Sequence, residues 1–272
     1  GNTASSNGDA VYVADINEAS EIDQCSFIDN KGTFATVYIN SGDVEFDITN
    51  SIFLNNSGLN VKAEGTNVAA QYNWFGHNAD NYDDGAVAKV DGVSLSNILY
   101  LNIVLSDNIA TVSLNNLNGG TYNLYSLPAI ELNVENENLT VDDRVIIGET
   151  GVAELSYDFL YYTGSITVGY DGDSSYTKEL VFVDDGTFTA LQKIISFTPE
   201  NRVLNLEKDY IYNPATDSAI TTGITISKPI TIKGKNHKID AQKSVRIFVV
   251  EQDASFELIN FVNGKVASGK GG

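Results

Sequence analysis

Val11-Tyr12-Val13 lies over Val37-Tyr38-Ile39, Ile22 over Ile48, and Cys25-Ser26-Phe27-Ile28-Asp29-Asn30 over Ser51-Ile52-Phe53-Leu54-Asn55-Asn56. The two stretches superimpose at an offset of 26 residues. A fixed period of this length means that each unit buries its apolar face on its neighbours. Units built from short β runs and small polar turns are too short for helical hairpins, so the repeat predicts a solenoid of strands. Cys25 falls on Ser51, which gives the single cysteine a small stacked position and no disulfide partner.

The composition agrees. Gly 23 with only 4 Pro, and many Val, Ile, Tyr and Phe in short runs, favour strands joined by tight turns. After the two matched coils comes a shorter one, Leu59-Asn60-Val61 and Val68-Ala69-Ala70, ending in Tyr72-Asn73-Trp74-Phe75-Gly76. Trp74 and Phe75 read as the plug over the last apolar layer, and Asn78 to Gly85 as a polar linker. Residues 1–85 are therefore expected to be the closing coils of a parallel β-helix with its cap.

From Val87 to Val183 the period is lost and alternating runs succeed one another, among them Tyr100 to Leu105, Ile109 to Leu114, Ile130 to Val134 and Ile166 to Tyr170. Residues 86–184 are expected to form an immunoglobulin-like β-sandwich without a disulfide. Thr187 then N-caps a short helix carrying Phe188, Leu191, Ile194 and Ile195 on one face, ended by Pro199. Strands resume at Val203, and Phe256-Glu257-Leu258 and Phe261 match Phe46-Asp47-Ile48 and Phe53 of the opening repeat. Residues 185–272 are expected to be a capping helix and the first coils of a second β-helix. The fold expected is all-β, with right-handed parallel β-helix segments flanking the sandwich.

These residues resemble the adhesin-like surface proteins of methanogenic archaea. The likeness rests on Gly186-Thr187-Phe188-Thr189 with Leu191-Gln192, on Asn205-Leu206-Glu207-Lys208-Asp209-Tyr210, and on Ile230-Thr231-Ile232-Lys233-Gly234-Lys235-Asn236-His237-Lys238-Ile239-Asp240. Arg246-Ile247-Phe248, Leu258-Ile259-Asn260-Phe261 and Asn73-Trp74-Phe75-Gly76 extend it. Where coils of that family show Gly-Gly-Ala-Ile-Tyr, this chain has Gly8-Asp9-Ala10-Val11-Tyr12. The resemblance implies an extracellular, cell-surface structural or adhesive role, and brings no catalytic residues with it.

The charge is uneven. Residues 1–184 hold 27 acidic and 5 basic side chains, residues 185–272 hold 9 and 11. That distribution argues against nucleic-acid binding, which needs clustered Lys and Arg. No apolar run approaches the roughly 18 residues of a membrane span. The chain opens on Gly1-Asn2-Thr3 and reads as a processed or excised piece, and Ala267-Ser268-Gly269-Lys270-Gly271-Gly272 resembles residues 4–9, so one copy can run on into another. The expected partners are copies of itself, head to tail, through Val11, Tyr12, Val13, Phe27, Phe256, Leu258, Phe261 and Gly271.

Enzyme chemistry finds little support. The acidic pairs Asp83-Asp84, Asp142-Asp143 and Asp184-Asp185 fall in turns, and His77 and His237 lie far from any nucleophile pattern, so the chain is read as non-enzymatic and without a cofactor. A β-helix polysaccharide lyase or glycosidase is the third reading, behind a carbohydrate-binding adhesin that uses Tyr157, Tyr161 and Tyr162. Asp80, Asp83 and Asp84 are candidate ligands for a structural Ca²⁺. Asn55 and Asn138 open the sequons Asn55-Asn56-Ser57 and Asn138-Leu139-Thr140, candidate glycosylation sites.

Overall fold

The computed structural model describes residues 2, 8–42, 44–82, 85–106, 108–118, 120–122, 126–172 and 174–266. Strands hold 51% of the chain and helices 6%, which makes the protein all-β and, in its architecture, a β-solenoid. It divides into two compact units, residues 1–158 with 165–180, and residues 159–164 with 181–272.

In the first unit three parallel ladders run side by side. The first joins Gly8–Ala14, Ala35–Asn40, Leu59–Glu64 and Val90–Asp91; the second joins Ser20–Asp23, Glu45–Thr49, Asn67–Gln71 and Val93–Ser96. The third joins Ser26–Ile28, Ile52–Leu54, Trp74–Asn78 and Leu99–Ser106. Val11 pairs with Val37, Ile22 with Ile48 and Phe27 with Phe53, so the sequence repeat is the ladder register itself. Inward residues alternate with outward ones along each strand. Val37, Ile39, Phe46, Ile48, Phe53 and Val61 close into one core.

Corners are made by single left-handed residues. Gln24, Asn50, Tyr72 and Asn97, at φ of 54°, 47°, 56° and 49°, turn the chain from the second ladder to the third in four successive coils. Only short polar side chains adopt that conformation cheaply, which explains Asn at two of these corners. Beside them the side chains of 25, 51 and 73 stack: the Cys25 N–H donates to Ser51 Oγ at 3.0 Å, and the Ser51 N–H to Asn73 Oδ1 at 2.8 Å. The stacked place expected for Cys25 is where it lies.

Two expectations need correction. The parallel ladders run past residue 85, because Val90–Asp91 pairs with Val61-Lys62, and Val93–Ser96 with 68–71. The linker expected over Asn78 to Gly85 therefore falls within the solenoid, with Asn78 ending strand Trp74–Asn78, a turn at 79–82 and the short helix Gly85–Ala88 ahead of Val90, and the boundary expected at 85/86 lies inside it. Trp74 and Phe75 are buried in the third coil, Trp74 pairing with Ile52 of the second and Leu99 of the fourth, and do not plug an end.

Strand Leu99–Ser106 ends the solenoid and begins the antiparallel part of this unit. Leu99 pairs in parallel with Trp74, while Asn102 to Ser106 pair antiparallel with Ser113 to Ile109. Ile109–Leu117 pairs in turn with Val152–Ser156. A second antiparallel sheet orders Arg144–Ile147, Ile130–Glu137, Thr163–Gly169 and Tyr176–Val181.

The second unit has three further parallel ladders: Arg202–Asn205, Ile230–Lys233 and Ala254–Glu257; Tyr210–Ile211, Lys238–Asp240 and Asn260–Val262; and Ile224–Ile226 with Phe248–Val250. The helix expected after Thr187 spans Phe188–Phe197, and Thr187 Oγ1 accepts the Ala190 N–H at 3.2 Å. Its Phe188, Leu191, Ile194 and Ile195 enter the core formed with Leu204, Leu206, Ile224 and Ile226. Gln192 finishes the free edge of Ile224–Ile226, donating to the Thr225 carbonyl at 3.0 Å and accepting its N–H at 2.7 Å. A side-chain amide thereby takes the place of a neighbouring strand.

The match of the final coil to the opening repeat shifts by two residues on the ladder. Leu258, at φ 51°, occupies the left-handed corner between Ala254–Glu257 and Asn260–Val262, as Asn50 does between Glu45–Thr49 and Ile52–Leu54. It corresponds to Asn50 and not to the buried Ile48, and it is 68% exposed. Phe261 keeps its match to Phe53.

Candidate functional site

A recess of the first unit lies where the solenoid corners meet residues 171 and 174. It is a cavity of about 340 Å³ whose rim includes Asn55, Asn60, Asn81, Lys89, Asp171 and Ser174, with Phe53 and Phe75 beneath. Gly76, at φ 85°, permits the close approach, since a Cβ there would come within 2.6 Å of Ser174 Oγ. Asn78 Nδ2 donates to the Ser175 carbonyl at 2.7 Å, and the Tyr170 hydroxyl donates to Asp29 at 2.7 Å. Asn55 donates to the other oxygen of Asp29.

This clasp shifts both ionisations. Donation from Tyr170 holds the Asp29 carboxyl below its ordinary value, and the bond to Asp29 pushes the Tyr170 phenol up to about 12. A depressed carboxylate stabilises the fold above pH ~4 and loses that contribution as pH falls through its folded value. A raised phenol stabilises below pH ~10 and loses its contribution as pH rises through about 12. Tyr170→Phe is accordingly expected to flatten the alkaline limb of a denaturant-midpoint profile between pH ~10 and about 12, with a smaller flattening below pH ~4. Superimposable profiles for wild type and variant would defeat this account of the clasp.

Chemically the recess offers amide donors and acceptors, one ammonium and, among its described lining residues, one carboxylate, Asp171. Glycoside hydrolysis needs two facing carboxylates, and these residues do not supply them. Among the described residues no group of three or more His, Cys, Asp or Glu side chains could hold a metal ion. Of the Ca²⁺ candidates Asp80 is exposed, its N–H donating to Asn78 Oδ1 at 2.9 Å; Asp83 and Asp84 lie outside the described residues. His77 is fully buried in strand Trp74–Asn78, whereas His237 lies 3.2 Å from Asp209.

The assembly candidates fall at the two ends of the coil stacks. Tyr12 is 48% exposed and stacks on Tyr38, Val11 and Val13 are half-buried, and Phe27 is buried beneath Phe53. Phe256 and Phe261 pack edge to face at 5.6 Å, with Phe261 and Leu258 exposed; Gly271 lies outside the described residues. Asn55 and Asn138 are exposed in left-handed turns, at φ 50° and 57°. Tyr157 is buried, while Tyr161 and Tyr162 remain exposed against Phe197.

Sequence reading missed Asp217, which is fully buried and accepts N–H groups of Phe188, Thr189 and Asn213. No local pattern marks it, because its partners at the helix start lie 28 and 29 residues away. No protein-family model matches the chain, and comparison with curated proteins and with solved structures likewise gives no match.

Proposed function

We propose that this chain is a non-enzymatic structural and adhesive module of a cell surface, in which β-helix segments flank an immunoglobulin-like sandwich and copies continue or stack head to tail into a fibre. One observation carries the reading. Among the described residues, the strands Gly8–Ala14, Ser20–Asp23 and Ser26–Ile28 have a neighbour on one side only, and so do Ala254–Glu257 and Asn260–Val262. An uncovered coil exposes unpaired backbone groups and recruits another strand.

Further support comes from charge and topology. The acidic first part and the mildly basic last part favour a heterologous contact, the geometry that makes open filaments. The strand order 99–106, 109–117, 152–156 in one sheet and 144–147, 130–137, 163–169, 176–181 in the other supports reading this part as an immunoglobulin-like sandwich. The resemblance to adhesin-like archaeal surface proteins points the same way, toward a module outside the cell.

The test is imaging and sedimentation of the purified chain over a range of concentrations and salt. End-on chains are expected, shortened by salt and abolished by either Tyr12→Asp or Phe261→Asp in proteins that melt like wild type. A monomer at every concentration, or chains indifferent to both substitutions, would refute the assembly. Exposed Tyr161 and Tyr162 favour carbohydrate binding as the second reading, since paired tyrosines supply a stacking surface. Glycan-array binding lost in Tyr161→Ala would establish it.

A further inference from the structure

Two buried polar side chains of the first unit lack a hydrogen-bond partner among the described residues, and they are neighbours. Neither carboxylate oxygen of Asp9 nor Thr36 Oγ1 is paired. Asp9 is 7% exposed and Thr36 fully buried. Gly8 pairs with Ala35 in the parallel ladder and Val11 with Val37, so Asp9 and Ala10 together fall opposite the single residue Thr36. At this β-bulge both Ala10 and Val11 turn to the core. Bulges of this kind re-aim side chains next to functional sites.

The next member of the row shows what a satisfied position looks like. Ala35 pairs with Leu59, which puts Asn60 beside Thr36 on the other side. Asn60 accepts from Asn56 at 2.9 Å and donates to the Ala88 carbonyl at 2.7 Å. Asp9 has no such partners among the described residues. Its carboxylate lies flat on Gly32, where a Cβ would fall 1.5 Å from one oxygen and 1.9 Å from the other. Lys31 is engaged elsewhere, donating to the Asn55 carbonyl at 3.0 Å and lying 3.9 Å from Asp29.

An ionised carboxylate withdrawn from water without a counter-charge is strongly unfavourable. A water molecule would serve the Thr36 hydroxyl but would leave the charge in place, within a segment of large acidic excess. We propose that Asp9 and Thr36 hold a hard, oxygen-seeking cation, with Ca²⁺ the best chemical match. The two carboxylate oxygens and the hydroxyl supply three ligands, and main-chain carbonyls and water complete the six to eight that Ca²⁺ takes. One carboxylate gives low ligand charge, which puts the affinity in the roughly 10⁻⁴–10⁻³ M class. The cation would neutralise the first strand of the coil stack, independently of whether copies assemble.

The experiment compares thermal unfolding of the full chain and of Asp9→Asn in chelator, Ca²⁺, Mg²⁺ and KCl at matched ionic strength. At about tenfold Ca²⁺ over Kd the wild type is expected to gain about 4 °C, and Asp9→Asn to gain none. In chelator Asp9→Asn should melt at or above wild type, because the uncompensated charge is gone. Equilibrium dialysis should find one Ca²⁺ retained by wild type and none by the variant. Equal shifts in both proteins, no shift in wild type, or an Asp9→Asn protein that melts lower in chelator would each overturn the site.

Discussion

Replacing Phe53 by alanine is expected to cost the first unit about 3–5 kcal/mol, because a large ring is removed from a fully buried position that cannot collapse. Phe53 is 1% exposed and lies in the middle of a stack, 4.7 Å from Phe27 at 13° and 5.0 Å from Phe75 at 19°. Each neighbour is fixed by its own ladder, whose strand spacing of ~4.8 Å is set by backbone hydrogen bonds. The rings therefore cannot slide together to close the hole. Loss of both offset stacks adds to the transfer term, each worth ~0.5–1.5 kcal/mol.

Urea unfolding should show a lower midpoint with an unchanged slope, as for a change in stability alone. Tyr12→Ala is the control, since its ring stacks on Tyr38 but is 48% exposed at the edge strand. It should cost less than about 1 kcal/mol. A Phe53→Ala protein within about 1 kcal/mol of wild type would mean that the stack is not a core. Coils contact only their neighbours, so damage at the second coil also weakens the first and third.

The same pairs explain why so much of the first unit was legible. Val11 over Val37, Ile22 over Ile48 and Phe27 over Phe53 are at once sequence matches and Cα register partners, because like stacks on like in every ladder. The fourth coil escaped notice for a local reason. The helix Gly85–Ala88 lengthens its turn, and Val90 falls out of the period that Val11 and Val37 define. Leu258 was misplaced because apolar identity guided the match, whereas the corner is kept by backbone geometry. Asn50, Asn55, Asn97 and Asn263, all at positive φ, were the better guide. The candidate site was the least legible part, since Asp29 and Tyr170, like Asp9 and Gly32, meet only through the fold.

Asp217 was hidden in the same way, and its removal is expected to have the other large effect. The Phe188 N–H donates to it at 3.1 Å, Thr189 at 2.8 Å and Asn213 at 2.7 Å, all around a carboxylate with no exposed surface. Asp217→Ala orphans three main-chain donors and removes a negative charge from a helix N-terminus. At roughly 1–3 kcal/mol for each donor left unpaired, discounted because water can reach the exposed side of Thr189, the loss should be about 3–5 kcal/mol. Asp217→Asn keeps one acceptor oxygen and should lose about half as much.

Hydrogen exchange distinguishes this cap from general softening. The amides of Phe188 and Thr189 should lose protection first, while Ile232 and Ile239, deep in the parallel ladders, keep theirs until global unfolding. Uniform loss of protection, or a cost under about 1 kcal/mol, would show that Asp217 does not hold the helix in place. The helix contacts Tyr210–Ile211 and Ile224–Ile226 in the first coil, and Gln192 finishes the edge of the latter. With the cap lost, that edge and its apolar layer would be uncovered, and a coil stack open at one end would become open at both. Asp217→Ala should then aggregate without direction, while Phe261→Asp, acting at the opposite end, should block association altogether.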